Sequence, residues 1–256
     1  MVYDLLLATV ARGLGYRLFI HHHAFSYIDR RSRWTAALVA AAGRRARHIC
    51  LCPTMGRRLG ERYPGVRNIV IQSNAAFVEP VQTPRRAGDR PFRIGFLSNL
   101  APEKGFDTVI EVFRVLRQRH REVVLVIAGP APSRAAQSLL ESAKREFGAS
   151  LDYRGAIYAA EKANFFRDID FFLFPTRYVN EAEPLVMLEA LAAGVPVVAT
   201  ARGCIEDDLT AGGAVYRDQD YASAAVSLLT TCVTSRTHIA ALSAAALERS
   251  AELHRS

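Results

Sequence analysis

Lysine is almost missing from this chain of 256 residues, with 3 lysines against 30 arginines. No run of about 18 apolar residues occurs, so no membrane-spanning helix is expected. The opening MVYDLLLATVARGLG has an apolar patch but neither a basic leader nor a small-residue cleavage site, and it does not read as a signal peptide. Cysteine is sparse. Cys50, Cys52, Cys204 and Cys232 include no CxxC pair, which argues against a zinc site and points to reduced core thiols in a cytoplasmic protein. No internal repeat is visible. Basic residues do not interleave with aromatics as on a single-strand-binding surface, so nucleic acid is a poor partner.

Half of the residues are hydrophobic, enough for a sizeable core. Charge is uneven. Residues 1–90 carry 15 arginines and no lysine against 5 acids, whereas residues 91–256 carry 18 basic and 20 acidic residues. A basic first part suits anionic lipid headgroups or a phosphorylated acceptor, and an arginine-rich coding bias explains it equally well.

Periodicity divides the chain. Residues 17–20 read as a strand running into His21, His22 and His23, residues 33–47 as a helix, and HICLC and NIVIQSN as strands. Residues 79–91, with three prolines, a glycine and several charges, have linker composition. From FRIGFLS onward, short apolar strands alternate with amphipathic helices, the pattern of a doubly wound parallel sheet. The last segment, THIAALSAAALERSAELH, is Ala-rich and helical in pattern.

In such a sheet, ligands bind beyond the carboxyl ends of the strands. Several notable residues fall there. Lys104 and Gly105 precede a helix, so a cation and free N–H groups converge on an anion site. Gly129 and Pro130 follow the strand VVLVIAG. Gly203, after VPVVAT, permits the close approach of a ligand. The stretch NEAEPLVMLEALAAGVPVVAT places Glu181 at the mouth of a helix that opens with Pro184, and Glu189 inside it. A carboxylate in an otherwise apolar helix is costly without a partner, so Glu189 reads as functional.

Pro102-Glu103-Lys104-Gly105, Pro175-Thr176 and Glu181 through Glu189 to Ala199 stand in an order that resembles the donor domain of a GT-B glycosyltransferase of family 4. The resemblance covers residues 92–230. It implies an α/β, GT-B-like architecture of two Rossmann-like parallel-sheet domains with the N-terminal one incomplete. Residues 1–90 would be a partial acceptor-side domain, 91–235 the nucleotide-sugar domain, and 236–256 a helix returning to the first part.

The resemblance also implies roles. Lys104 would pair with the donor diphosphate, Glu189 would accept hydrogen bonds from the ribose, and Glu181 would contact the transferred sugar. Backbone around Ala182, Glu183, Pro184 and Leu185 would hold sugar and phosphate. Asn99 stands where the family often has an arginine, at a second diphosphate-facing position. Gly129 would lie along the donor, and Arg154 and Ile157 would border the base. A histidine at the first strand end, His23 or His22, would face the sugar. Packing, or a metal with ligands not evident in the sequence, are the other readings of the triple histidine. Asp168-Ile169-Asp170 is a literal DxD, but it precedes a strand and reads as a connection.

The implied activity is retaining transfer, without a bound metal or other cofactor, from a nucleotide diphosphate sugar to a hydroxyl of a glycan or lipid-linked acceptor. A cytoplasmic site, peripheral to an anionic membrane face, would suit it. A non-catalytic nucleotide-sugar-binding remnant, or one part of a split enzyme, is the alternative. A sugar phosphorylase or a nucleotide-sugar epimerase would keep the fold and change the reaction.

Overall fold

The computed structural model describes residues 2–79 and 90–255. Most of the linker read at 79–91 lies outside the described residues. In chain order the elements are α1 (Val2–Gly13), β1 (Phe19–His21), α2 (Ser26–Asp29), α3 (Arg33–Ala42), β2 (Arg47–Cys50), α4 (Pro53–Arg62) and β3 (Asn68–Ile71). After residue 90 come β4 (Arg93–Leu97), α5 (Phe106–Arg119), β5 (Val124–Ala128), α6 (Arg134–Phe147), β6 (Leu151–Tyr153), α7 (Ala160–Asp168) and β7 (Phe171–Phe174). The chain closes with α8 (Leu185–Ala192), β8 (Val197–Thr200), α9 (Ile205–Leu209), β9 (Gly213–Tyr216), α10 (Asp218–Thr234) and α11 (Arg236–Leu253).

Two sheets form among the described residues, one of three strands in the order β1-β2-β3 and one of six in the order β6-β5-β4-β7-β8-β9. Every pairing is parallel. Such strands are covered on both faces and need side chains that are apolar at every position. FFLF and the first three residues of VVAT meet that need, all eight residues are buried, and the Thr200 hydroxyl at the end of β8 donates to Thr176 O. Alternation then sorts them by face. Phe171 and Leu173 join Phe113 and Leu229 on one side, while Phe172 and Phe174 join Phe166 and Met187 on the other.

Local chemistry sets the boundaries. The helix expected over 33–47 stops at Ala42, because Gly43 takes φ +76° and its N–H closes on Val39 O at 3.1 Å. Arg47 is thereby released to start β2. Helix α1 is built against expectation for a surface helix. Ala8 is buried and Leu5 and Ala11 are half-buried, while Val2, Leu6, Leu7 and Val10 face outward.

A polar seam joins the two sheets. Thr54 donates from its backbone N and its Oγ1 to Asp207 at 2.8 and 2.9 Å. Ser73 Oγ and the Asn74 N–H donate to the two oxygens of Glu183 at 2.7 and 2.5 Å. Cys52 and Cys204 form a disulfide across the same seam, with Cα atoms 5.8 Å apart. The expectation of four reduced thiols is therefore corrected: Cys50 and Cys232 alone are free. Sequence spacing could not anticipate the pair, since its members are 152 positions apart and meet only when the sheets dock.

Helix α11 packs along α8, where Ser243 Oγ donates to Gly194 O at 2.5 Å. At its end Arg249 donates to the carbonyls of Asp207 and Asp208 at 2.7 and 2.8 Å, and the His254 ring meets Val78 O at 2.7 Å.

Candidate functional site

The six-stranded sheet reverses its direction of winding in the middle. The chain runs outward from β4 through β5 to β6, returns to β7 beside β4, and runs outward again through β8 to β9. Strands diverge in their connections at such a point and leave a crevice beyond their carboxyl ends. The loop after β4 carries Lys104, and the loop after β7 carries Glu181.

Their side chains meet. Lys104 Nζ lies 2.7 Å from Glu181 Oε2, with the two side chains only 22% and 11% exposed. Thr176 Oγ1 donates to the same oxygen at 2.9 Å. The Lys104 ammonium also sits 4.5 Å from the centroid of the Tyr178 ring. Two glycines make the meeting possible. Gly105 has φ +75°, and a Cβ there would stand 2.1 Å from Pro175 O, so only glycine lets the β4 loop lie on the end of β7. Gly203 has φ +53°, and its Cβ would stand 2.3 Å from Ala182 O and 2.4 Å from Glu181 O. Gly203 thus admits the backbone of the Glu181 loop, where the sequence suggested the approach of a ligand. Beside Lys104, α5 begins without a side-chain cap, and its first N–H groups add a positive pole.

Helix α8 starts at Leu185 with Pro184 as its cap, one residue later than expected. No side chain caps it, Ala182 and Pro184 are buried, and Leu185 is exposed. Glu183 turns away into the seam, where burial raises its carboxyl above the ordinary range. Inside the helix, one oxygen of Glu189 pairs with Lys162 of α7. The other, Oε2, is buried without a hydrogen-bond partner among the described residues. An acceptor held in this way carries the full cost of its desolvation.

The remaining predicted residues are placed as follows. Asn99 is exposed, and its carbonyl accepts from Ala101 N at 2.7 Å. The Gly129 N–H donates to Gly155 O at 2.6 Å, and Tyr153 Oη donates to Gly129 O at 3.0 Å. Ile157 is buried. Arg154 turns back along the sheet to Asp152 and Asp168, both at 3.0 Å. Asp170 receives both terminal nitrogens of Arg90 at 3.0 Å and the Arg93 N–H at 2.8 Å, so both acids of the DxD lie on arginines at the amino edge of the sheet.

The histidines separate. His22 is buried, with Nδ1 3.0 Å from Tyr27 Oη and Nε2 3.0 Å from His48 Nδ1. Burial, with His48 next in weight, lowers its pKa to about 4. His23 is exposed, its ring 3.9 Å from that of His21. Lys162 and Tyr178 were not singled out by sequence. A signal existed for the lysine: two of the three lysines in the chain, Lys104 and Lys162, sit on Glu181 and Glu189.

HepE of Anabaena, solved in complex with UDP, superposes with a TM-score of 0.75 at 17% identity, over 98% of this chain and 74% of that one. This places the fold among GT-B structures. The alpha-monoglucosyldiacylglycerol synthase of Streptococcus pneumoniae is 30% identical over 137 residues, 52% of this chain and 30% of that protein. A GDP-mannose-dependent alpha-(1-6)-phosphatidylinositol monomannoside mannosyltransferase of Mycobacterium tuberculosis is 30% identical over 143 residues, 53% of this chain and 36% of that protein. The matched stretch thus spans about a third of these curated relatives. The family model "Glycosyl transferases group 1" matches residues 81–236, more than half of the chain and including the Lys104 and Glu181 loops, and the chain belongs to that family.

Proposed function

We propose that the chain binds a nucleotide diphosphate sugar in the β4/β7 crevice and takes part in retaining transfer of the sugar to a hydroxyl of a glycan or lipid-linked acceptor. The observation that carries this reading is Glu189, whose Oε2 is buried and unpartnered while Lys162 holds the other oxygen. A ribose diol supplies the two hydroxyl donors such an oxygen needs.

Lys104 and the uncapped start of α5 would stabilise the negative charge that develops on the leaving diphosphate. Lys104 would exchange part of its contact with Glu181 for the phosphate. Glu181, held by Thr176, would keep an oxygen for the sugar hydroxyls. His23, exposed after β1, is the histidine free to reach the sugar. His22 would fix the strand end through Tyr27 and His48. No step in this scheme is assigned to a metal. The relatives whose names specify lipid-linked products make a lipid-linked acceptor the first class to screen.

One observation favours a second reading. The first sheet has three strands among the described residues, against six in the second. A chain of this build could hold the donor while a partner supplies the rest of the acceptor side. Calorimetric titration with UDP, GDP and ADP, beside Lys104→Ala, tests the donor site. Micromolar binding of one nucleotide, weakened by the substitution, supports it, and absence of binding by the folded chain overturns it. Binding without turnover of donor sugars over a panel of acceptors favours the second reading.

A further inference from the structure

Lysine and arginine meet carboxylates differently in this protein. Of the 3 lysines, Lys144 pairs with Glu141 at 2.8 Å on the exposed side of α6, whereas Lys104 and Lys162 meet Glu181 and Glu189. Arginine meets carboxylates elsewhere in the chain, and its fork can take both oxygens at once. Arg90 reaches Oδ1 and Oδ2 of Asp170, each at 3.0 Å, and Arg114 reaches Oε1 and Oε2 of Glu146 at 2.5 and 2.8 Å. The ammonium of Lys162 takes Oε1 of Glu189 alone and leaves Oε2 buried, without a partner among the described residues. Lys104 likewise takes a single oxygen of Glu181, Oε2, which it shares with Thr176.

The position of Lys162 is fixed from below. Phe165 and Phe166, three and four positions further along α7, share its side of the helix and are buried. They belong to one core cluster with Leu188 and Ala190, the neighbours of Glu189 in α8. The core thus sets where the ammonium stands, and the ammonium sets which oxygen of Glu189 is left open.

We propose that Lys162 is a positioning residue that makes the donor site select ribonucleoside diphosphate sugars over their 2′-deoxyribonucleoside counterparts. It acts through Glu189, and this selection rests on the reading of Glu189 as the ribose acceptor. With Oε1 occupied, one oxygen faces the ribose, and each of the two hydroxyls donates to one of its lone pairs. A 2′-deoxyribose brings a single donor and leaves that buried oxygen half satisfied, so part of its desolvation cost stays uncompensated. An arginine at position 162 would close its fork over both oxygens, as at Asp170 and Glu146, and the hydroxyls would have to displace it.

The test is calorimetric titration of the full chain with UDP, GDP and ADP, each beside its 2′-deoxy analogue. It is run on the native protein, Lys162→Arg, Lys162→Met and Glu189→Ala, with urea midpoints as controls for folding. On the native chain the 2′-deoxy analogue of the preferred nucleotide should bind about 10- to 100-fold more weakly than its parent. Lys162→Arg keeps the ion pair, and by weakening the parent it should bring the two to within about threefold of each other. Lys162→Met removes the hold on Glu189 and should weaken the parent about three- to tenfold. A purely structural tie between α7 and α8 gives the opposite pattern, since arginine would then restore native behaviour. Native selectivity in Lys162→Arg, or native affinity in Lys162→Met, overturns the role of Lys162. Selectivity lost in Glu189→Ala but kept in Lys162→Arg overturns that role alone and leaves Glu189 as the ribose acceptor. No nucleotide binding, equal binding of parent and 2′-deoxy analogue by the native chain, or native selectivity in Glu189→Ala overturns both.

Discussion

Replacing Glu189 with alanine separates binding from folding. In the unliganded protein the residue contributes little. Its pair with Lys162 joins side chains 27% and 30% exposed, and partly hydrated pairs contribute about 1 kcal/mol or less. Against that gain stands the buried, unpartnered Oε2, whose desolvation costs about 1–3 kcal/mol. Glu189→Ala should therefore leave the denaturation midpoint unchanged or slightly raised. Nucleotide binding should behave differently. Hydrogen bonds from ribose hydroxyls to a carboxylate contribute about 1.5–3 kcal/mol each. Losing one or both, with partial replacement by water, costs about 2–4 kcal/mol, or roughly 30- to 700-fold in Kd. Calorimetry of the preferred nucleoside diphosphate measures this, and its 2′,3′-dideoxy analogue closes a double-mutant cycle. Removing the hydroxyls should weaken binding to the native chain and change little in the variant. A variant that loses stability but binds like the native protein would refute the reasoning and make Glu189 a structural partner of Lys162.

Other consequences follow from the same geometry. Lys104→Ala should weaken nucleoside diphosphates by about 10- to 100-fold and nucleosides hardly at all, read by competition titration. Gly105→Ala should destabilise the fold by about 2–4 kcal/mol in urea, since φ +75° and a Cβ 2.1 Å from Pro175 O cannot both be relieved. A thiol titration of the unfolded, unreduced protein should count two free thiols, Cys50 and Cys232. Reduction of Cys52–Cys204 should lower stability by about 2–4 kcal/mol, and four thiols before reduction would show that the seam closes without it.

The seam should also make stability sensitive to alkali. Burial foremost, then Glu183 and Asp207, push the Asp208 carboxyl from 3.8 up to about 9. The unfolded chain releases this proton above about pH 4, while the folded chain keeps it to about 9. Stability must therefore fall as pH rises through that window, by up to about 1.4 kcal/mol per unit from this group. Glu183, shifted in the same direction, adds to the slope. His22, with its pKa lowered to about 4, acts in the opposite direction only below about pH 6.5, and the buried thiols of Cys50 and Cys232, raised from 9.0 to about 11, add to the fall only towards pH 9, so urea midpoints taken between pH 7 and 8 isolate the carboxyls. Asp208→Asn should flatten the profile, and an equally steep profile in that variant would remove Asp208 as its source.

The strands and their covering helices were legible in the sequence because both faces of a parallel sheet are buried. FFLF, VVLVIA and VPVVA must then be apolar throughout, and such runs stand out in one dimension. The Lys104 and Glu181 loops were legible too, since a switch-point site lies at strand ends and each loop follows its strand directly. What the chain alone did not reveal lies between elements distant in sequence. Glu183, two residues from Glu181, turns to Ser73 and Asn74, a choice made by the docking of the two sheets. Lys162 reaches Glu189 only because α7 packs beside α8. Cys52 meets Cys204, and Asp208 loses its water, on the same closure. Periodicity reports which side of its own element a residue takes. The tertiary structure alone decides what stands opposite, because that depends on the packing of surfaces whose sequences never touch.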